Sequence, residues 1–293
     1  MKMIRAVLAA LLLPLAANPA AAQSLSFTSK NSSSPIDVTA DSGIEWQQTE
    51  KLFIARGNAK AVQDDLSVTA DQLIAHYRDT DGGDTQVFRV DAIGSVTIAS
   101  SEETATGKAA VYDFDKAVLV IEGDPVTLTT KNGTVTANDT IQYWIDESVA
   151  VADGDATARD EDRRIRADKL VAYFASAEKN QDGGALKRGE FKLVKGEGRV
   201  VLTTAKEVVS GDRGEYNLET GIAKLEGSVK MTKDKNQLSG GFATVDTKAG
   251  TSRLFGSARE AGVGSPAVEA RVKALIAPKP ETRASREPGA TGG

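Results

Sequence analysis

Apolar and polar side chains alternate in twos along most of the chain. Phe53, Ala55, Gly57, Ala59 and Ala61 alternate with Ile54, Arg56, Asn58 and Lys60. Leu66, Val68 and Ala70 alternate with Ser67, Thr69 and Asp71, and Gly198, Val200 and Leu202 repeat the pattern far downstream. A period of two sends successive side chains to opposite faces of a strand, so the pattern predicts strands with one face turned inward. No long stretch carries apolar residues at i, i+3, i+4 and i+7, so helices are not predicted. Asp81-Gly82-Gly83, Lys131-Asn132-Gly133 and Asp182-Gly183-Gly184 suit tight hairpin reversals. Residues 266–276, with Ala267, Val268, Ala270, Val272, Leu275 and Ile276, fit either a short terminal helix or a last strand. Residues 278–293 have no apolar period and are expected to be disordered.

The strands belong to a repeat. An apolar-x-Ala/Gly-(Asp/Asn) phrase recurs at Val38-Thr39-Ala40-Asp41, Val68-Thr69-Ala70-Asp71, Val135-Thr136-Ala137-Asn138, Ile165-Arg166-Ala167-Asp168 and Val209-Ser210-Gly211-Asp212. The glycine of a second run recurs at Gly57, Gly94, Gly123, Gly154, Gly198, Gly227 and Gly256, with gaps of 37, 29, 31, 44, 29 and 29 residues. Such a period marks stacked units that each contact mainly their neighbours. The small residue falls where a large side chain would fill the space between sheets. Both long gaps hold a Gly-Gly insertion, at 79–85 and 180–186. Beyond each insertion the text repeats at an offset of 104, so that 106–114 matches 210–218 and 119–126 matches 223–230. The organisation expected is one initial repeat and a duplicated block of three, in one continuous body of about seven repeats. No linker separates the halves, which are placed at 23–164 and 165–277.

Composition narrows the class. Cysteine is absent, which removes disulfides and thiolate metal sites. No basic block with interleaved aromatics is present, which argues against a nucleic-acid partner. Lys2 and Arg5, an apolar stretch at 6–17 and Ala20-Ala21-Ala22 form a signal peptide, 1–22, with cleavage expected after Ala22. The alternative, an uncleaved anchor, is disfavoured because about twelve apolar residues fall short of the ~20 that span a bilayer. Losing this leader takes the formal charge from −5 to −7. The expected location in a diderm bacterium is the periplasm.

Several constellations look chemical. Asp79-x-Asp81-Gly82-Gly83-Asp84 gathers carboxylates like a calcium loop, but the twelfth position, where an EF-hand needs Glu, is Val90. A solvated hairpin tip is the preferred reading. His76 is the only histidine and lies in a strand beside Tyr77, so it is read as a half-buried or exposed strand residue and not as a general base. Asp64-Asp65, Glu102-Glu103 and Glu161-Asp162 pair carboxylates at turns, without the apolar pocket that would raise one of them into an acid/base role. Arg159, Arg163, Arg164 and Arg166 form a basic run that either meets an anionic headgroup or is a surface strand balanced by Asp160, Glu161 and Asp162. No catalytic residue, cofactor or metal is assigned.

The chain resembles the LptA/OstA family of periplasmic lipopolysaccharide transport proteins. Four stretches carry the likeness: Pro35-Ile36-Asp37-Val38-Thr39-Ala40-Asp41; Ala55-Arg56-Gly57-Asn58-Ala59-Lys60-Ala61; Ala70-Asp71-Gln72-Leu73-Ile74-Ala75 with its Gly-Gly insertion; and residues 107–123. They cover roughly 36–146, and 165–256 looks like a further copy. The family's unit is about one such module, and this chain holds nearly two.

The resemblance implies an all-β fold, a twisted two-sheet β-jellyroll open along one side around an apolar groove. It implies a cargo of lipopolysaccharide, whose lipid A acyl chains would lie in that groove. Burying hydrocarbon is worth about 0.8 kcal/mol per CH₂, so a twelve-carbon chain costs on the order of 10 kcal/mol to leave in water. Matched to the family pattern, the groove wall is Ile36, Val38, Phe53, Val68, Ile98, Tyr112 and Phe114. The second copy adds Ile165, Leu202, Tyr216 and Leu218. The implied partners are an LptC-like protein of the inner membrane, an LptD-like translocon of the outer membrane and further copies of the chain, joined head to tail by strand pairing at 36–62 and near 254–256. Two other classes remain: an adaptor of the cell envelope without lipid cargo, and a β-solenoid enzyme acting on polysaccharide. The enzyme is disfavoured because charged residues scatter to turns and outward faces.

Overall fold

The computed structural model describes residues 35–80, 83–174, 191–263 and 271–276. The leader, the second Gly-Gly insertion and the tail lie outside the described residues, as do Asp81 and Gly82 of the first insertion. The described residues form eighteen strands. The first module begins with β1 (Asp37–Thr39), β2 (Ile44–Gln47), β3 (Leu52–Gln63), β4 (Leu66–Asp79), β5 (Thr85–Ala99) and β6 (Glu103–Asp113). Short strands follow: β7 (Val118–Glu122), β8 (Val126–Thr130), β9 (Gly133–Ala137) and β10 (Thr140–Trp144). Long ones resume with β11 (Val149–Arg159), β12 (Arg163–Phe174), β13 (Phe191–Thr204), β14 (Val208–Asn217), β15 (Ile222–Lys233) and β16 (Asn236–Asp246), and β17 (Thr251–Phe255) and β18 (Lys273–Leu275) close the series. All pair antiparallel, mostly with their neighbours in sequence. Of the two readings for 266–276, the described part is a last strand, β18, on β16.

Each long strand is folded across its middle. Register shifts fall between Arg56 and Ala59, Ile93 and Val96, Asp153 and Ala156, Glu197 and Val200, and Glu226 and Val229. These bulges contain the repeat's glycines: Gly57, Gly94, Gly154, Gly198 and Gly227 have φ between +71° and +89°. A bulge bends its strand and sharpens the local twist. The acidic residue of the repeat lies against the glycine of the next strand. A Cβ added at Gly94, Gly154, Gly198 or Gly227 would stand 2.1 to 2.5 Å from a carboxylate oxygen of Asp71, Asp139, Asp168 or Asp212. At Asp71, Asp168 and Asp212 the two halves of the repeated phrase are thus one contact, and at Gly154 and Gly57 the residue after the phrase, Asp139 or Ser42, takes that place.

The bends divide the surface into two sheets that meet along the line of Gly and Asp. Sheet I holds β2, β7, β10, β17 and one half of every long strand. Sheet II holds β1, β8, β9, β18 and the other halves. Opposite the bend line, two series of hairpin turns flank the open side, here called the mouth. The simple alternation read from sequence holds through the glycine-bulged strands except at Ile54, expected outward but buried. It changes phase on the Ala-Asp strands: Val68 and Ala70 are buried in one half of β4, and Leu73 and Tyr77 in the other. The cause is geometric, since one residue of these strands opposes the two bulged residues of its neighbour. The buried side chains form one cluster that runs from Ala55 to Val245, through both halves of the chain.

Candidate lipid-binding interior

Cross-strand partners project to the same face, so the register traces rows of side chains along the interior. One row on sheet II starts at Val38 and passes through Val68, Ile98, Leu128, Ile165, Leu202 and Met231 to Ala274, each step a direct partner or one strand removed except Leu128 to Ile165, which runs through Val135 and Ala158. The facing row on sheet I starts at Trp46 and passes through Phe53, Val90, Tyr112, Tyr143, Val194 and Tyr216 to Ser252. Neither row breaks at the joint between the halves. The seam is made by β7, which pairs with both β6 and β10, while β8 and β9 continue sheet II from β6 to β11.

The structure places Val38, Val68, Ile98, Ile165 and Leu202 together in the sheet II row. Phe53, Tyr112 and Tyr216 share the sheet I row. Phe114 and Leu218 follow Tyr112 and Tyr216 by two residues, nearer the mouth, where their backbone N–H groups donate to Phe88 and Lys192 carbonyls. Both pack against the buried cluster. Ile36 stands two residues before Val38 on the same face. It is 44% exposed, against 1% for Ile98, because no strand lies beyond β1 to cover it.

Sequence reasoning passed over Trp46, Tyr77, Tyr143 and Phe174. Trp46 stacks on Phe53 at 5.2 Å, Phe53 contacts Tyr77 at 4.9 Å, and Tyr143 meets Phe174 edge-on at 5.7 Å, as Tyr112 meets Phe114 at 4.5 Å. The signal for Tyr143 was present: a Tyr follows the repeat's small residue by five places at Tyr112 and Tyr216, and by six at Tyr143.

The interior is closed by its own side chains. A cavity of about 20 Å³ lies among Ile165, Leu202, Tyr216 and Leu225, room for roughly one water molecule. Hydrogen bonds also cross from sheet to sheet. The Arg163 guanidinium donates to the Tyr216 hydroxyl and lies over that ring at 5.5 Å, and the Ser252 hydroxyl donates to the Glu207 carboxylate. The Tyr216 oxygen is 3.2 Å from Thr247 Oγ1, which donates to the Gly221 carbonyl. Burial works against the charge of Asp160, but hydrogen bonds from the Arg163 side chain and backbone outweigh it and hold the carboxyl below its usual range. The basic run is split by the strand alternation: Arg163 turns to the mouth with Ile165, and Arg164 and Arg166 face outward. Arg166 is clamped by both oxygens of Asp155 at 2.7 and 2.6 Å.

His76 lies on the outer face of sheet I, since its neighbour Ala75 partners Phe53 and Val90 inside. Its Nε2 is 2.7 Å from Asp91 Oδ2, and Arg89 donates to the other oxygen at 2.8 Å. Among the described residues no group of three His, Asp or Glu side chains is placed to hold a metal ion.

No curated protein matches the chain. Among solved structures it is similar to LptH of Pseudomonas aeruginosa, the LptA-homologous periplasmic component of the lipopolysaccharide transport device. Identity is 17%, with 60% of this chain and 95% of that chain covered, at a TM-score of 0.27. The model of one family, described as LptA/(LptD N-terminal domain) LPS transport protein, matches twice, over residues 37–149 and 138–251. The repeated phrases, the bent hairpins they build and a family match spanning most of the chain lead to one assignment: this chain belongs to the LptA/LptD-N-terminal family of lipopolysaccharide transport proteins.

Proposed function

We propose that this protein is a periplasmic lipopolysaccharide carrier that shields lipid A acyl chains between its two sheets. One observation carries the proposal: the two facing interior rows run unbroken from the first module into the second. A lipid between them would meet apolar side chains throughout, with Val68, Ile98, Tyr112 and Phe114 on the first stretch and Ile165, Leu202, Tyr216 and Leu218 on the second. Phe53 and Val38 stand near the first end, with Ile36 at its edge. The closed interior means that entry requires the sheets to part along the mouth, with acyl chains replacing contacts the side chains make with one another. Hydrocarbon exchanged for hydrocarbon keeps the cost of opening low, and the binding energy derives from the acyl surface withdrawn from water.

The test is photocrosslinking in cells, with the probe at Phe114, at Leu218 and at the exposed Arg56 as control. Lipopolysaccharide adducts at the first two and none at Arg56 are expected. A closed, self-filled interior is also what an envelope adaptor without cargo would have, and the absence of adducts at both positions would establish that reading instead.

The same proposal places the chain in a bridge between an LptC-like inner-membrane protein and an LptD-like outer-membrane translocon. Ile36, Ile44 and Trp46 are exposed at one end of the body and Leu275 and Ile276 at the other. Together with unpaired strand edges, they suit strand addition by a second chain. Sedimentation from micromolar to near-millimolar concentration should show head-to-tail association. A strictly monomeric species would remove the bridge while leaving cargo binding intact.

A further inference from the structure

We propose that Arg163 receives a phosphate of the cargo's headgroup as an acyl chain enters the second module, an inference that rests on the carrier reading. The alignment of Val68-Thr69-Ala70-Asp71 with Ile165-Arg166-Ala167-Asp168 sets Arg163 against Leu66. Leu66 is buried in the first module, so the fold does not require a charge at this rim position. The guanidinium has five N–H donors. Nε donates to Asp160 Oδ2 at 2.9 Å, Nη2 is 2.6 Å from the same oxygen, and Nη1 donates to Tyr216. One donor on each terminal nitrogen is left, a fork suited to two oxygens of one phosphate.

Position strengthens the assignment. Arg163 stands between the apolar cavity beneath it, lined by Ile165 and Tyr216, and an open cleft of about 640 Å³ between the β8–β9 and β11–β12 turns. Lys131 and Arg159 also line the cleft, as do Asp160, Glu161 and Asp162. Lys131 is held by Glu102 at 2.5 Å. Cations and carboxylates balance, so the cleft offers no net positive field to a free anion. The pairing requires an acyl chain at Ile165 and Tyr216 to hold the phosphate against the guanidinium, which makes a lipid headgroup the ligand and not inorganic phosphate. The bond to Tyr216 is the one that opening of the mouth breaks, and the incoming phosphate replaces it.

The experiment compares binding of bis-phosphorylated lipid A and its dephosphorylated counterpart to the mature full-length protein, with inorganic phosphate as competitor. Wild type is expected to prefer the phosphorylated lipid about tenfold, the effect of one charge-assisted pair, and millimolar inorganic phosphate should not displace it. In Arg163→Gln the preference should fall below about twofold, and Arg163→Lys should keep part of it. The readout is a ratio of two affinities on one preparation, so a folding defect, which lowers both, does not imitate the effect. Preference surviving in Arg163→Gln, equal binding of both lipids by wild type, or full displacement by inorganic phosphate would overturn the assignment of Arg163 alone. Binding of neither lipid by wild type would overturn the carrier reading, and this inference with it.

Discussion

Gly198→Ala is expected to destabilise the protein by about 2–5 kcal/mol. Two costs add. Gly198 has φ +71°, and a side chain in the left-handed region costs roughly 1–2 kcal/mol. The new Cβ would stand 2.2 Å from Asp168 Oδ2, 2.8 Å from its Cγ and 3.0 Å from its Cβ. Rotating the carboxylate relieves the first contact and not the last, so the β12 and β13 backbones must move apart, an overpacking cost of about 1–3 kcal/mol. Arg199 donates to Asp168 at 2.7 Å through Nε, a bond this shift would strain as well. Removing the partner should separate the two costs. Asp168→Gly combined with Gly198→Ala should recover the steric part and leave the backbone part. Urea unfolding of the single and double variants measures both, and equal stability of Gly198→Ala and wild type would show that the bend tolerates a side chain.

Ala158→Trp is expected to abolish passage of lipid between the modules while leaving the fold in place. β11 is the strand on which both facing rows carry alanine, Ala150 on sheet I and Ala158 on sheet II. Elsewhere among the long strands at least one of the two positions holds a larger residue. Both alanines are half-buried and pack against the core cluster, so the interior has the least side-chain bulk where the modules join. An indole there would occupy the path of an acyl chain. Because Ala158 is not fully enclosed, part of the ring can turn toward the mouth, and the stability cost should stay at the low end of overpacking, about 1 kcal/mol. With photocrosslinkers at Phe114 and Leu218, lipopolysaccharide adducts should persist at Phe114 and drop at least tenfold at Leu218. Equal adducts at both positions would mean that lipid reaches the second module from outside, through its own mouth, and that the unbroken rows are not its route.

Much of this architecture was legible because the physics that sets it is local. Alternation in twos at Leu66–Val68–Ala70 specifies a strand with one buried face. A glycine every thirty or so residues specifies a bend that other residues resist, and the offset of 104 between Gly107 and Gly211 specifies duplication. These features led to the family and to eleven expected wall positions, of which eight lie in the two interior rows. Tyr143 was missed because β7 to β10 depart from the spacing of the other hairpins: a long strand is there replaced by two short ones on either side of Gly123. Arg163 was visible only as one member of a basic run. Alternation with Ile165 separates it from its outward neighbours Arg164 and Arg166, but only the fold shows that its guanidinium reaches Tyr216 across the mouth.

The sequence by itself determined the strands, their period, the places where they bend and the doubling of the module, because each depends on side-chain alternation or on backbone freedom at a single residue. Only the tertiary structure decided that the aspartate of one strand rests on the glycine of the next, that the two modules share unbroken interior rows, that those rows close on each other, and which arginine crosses the mouth. Each of these depends on register between strands whose partners lie up to 41 residues apart, as Arg163 and Thr204 do, and register is fixed by packing of both faces at once, not by any one segment.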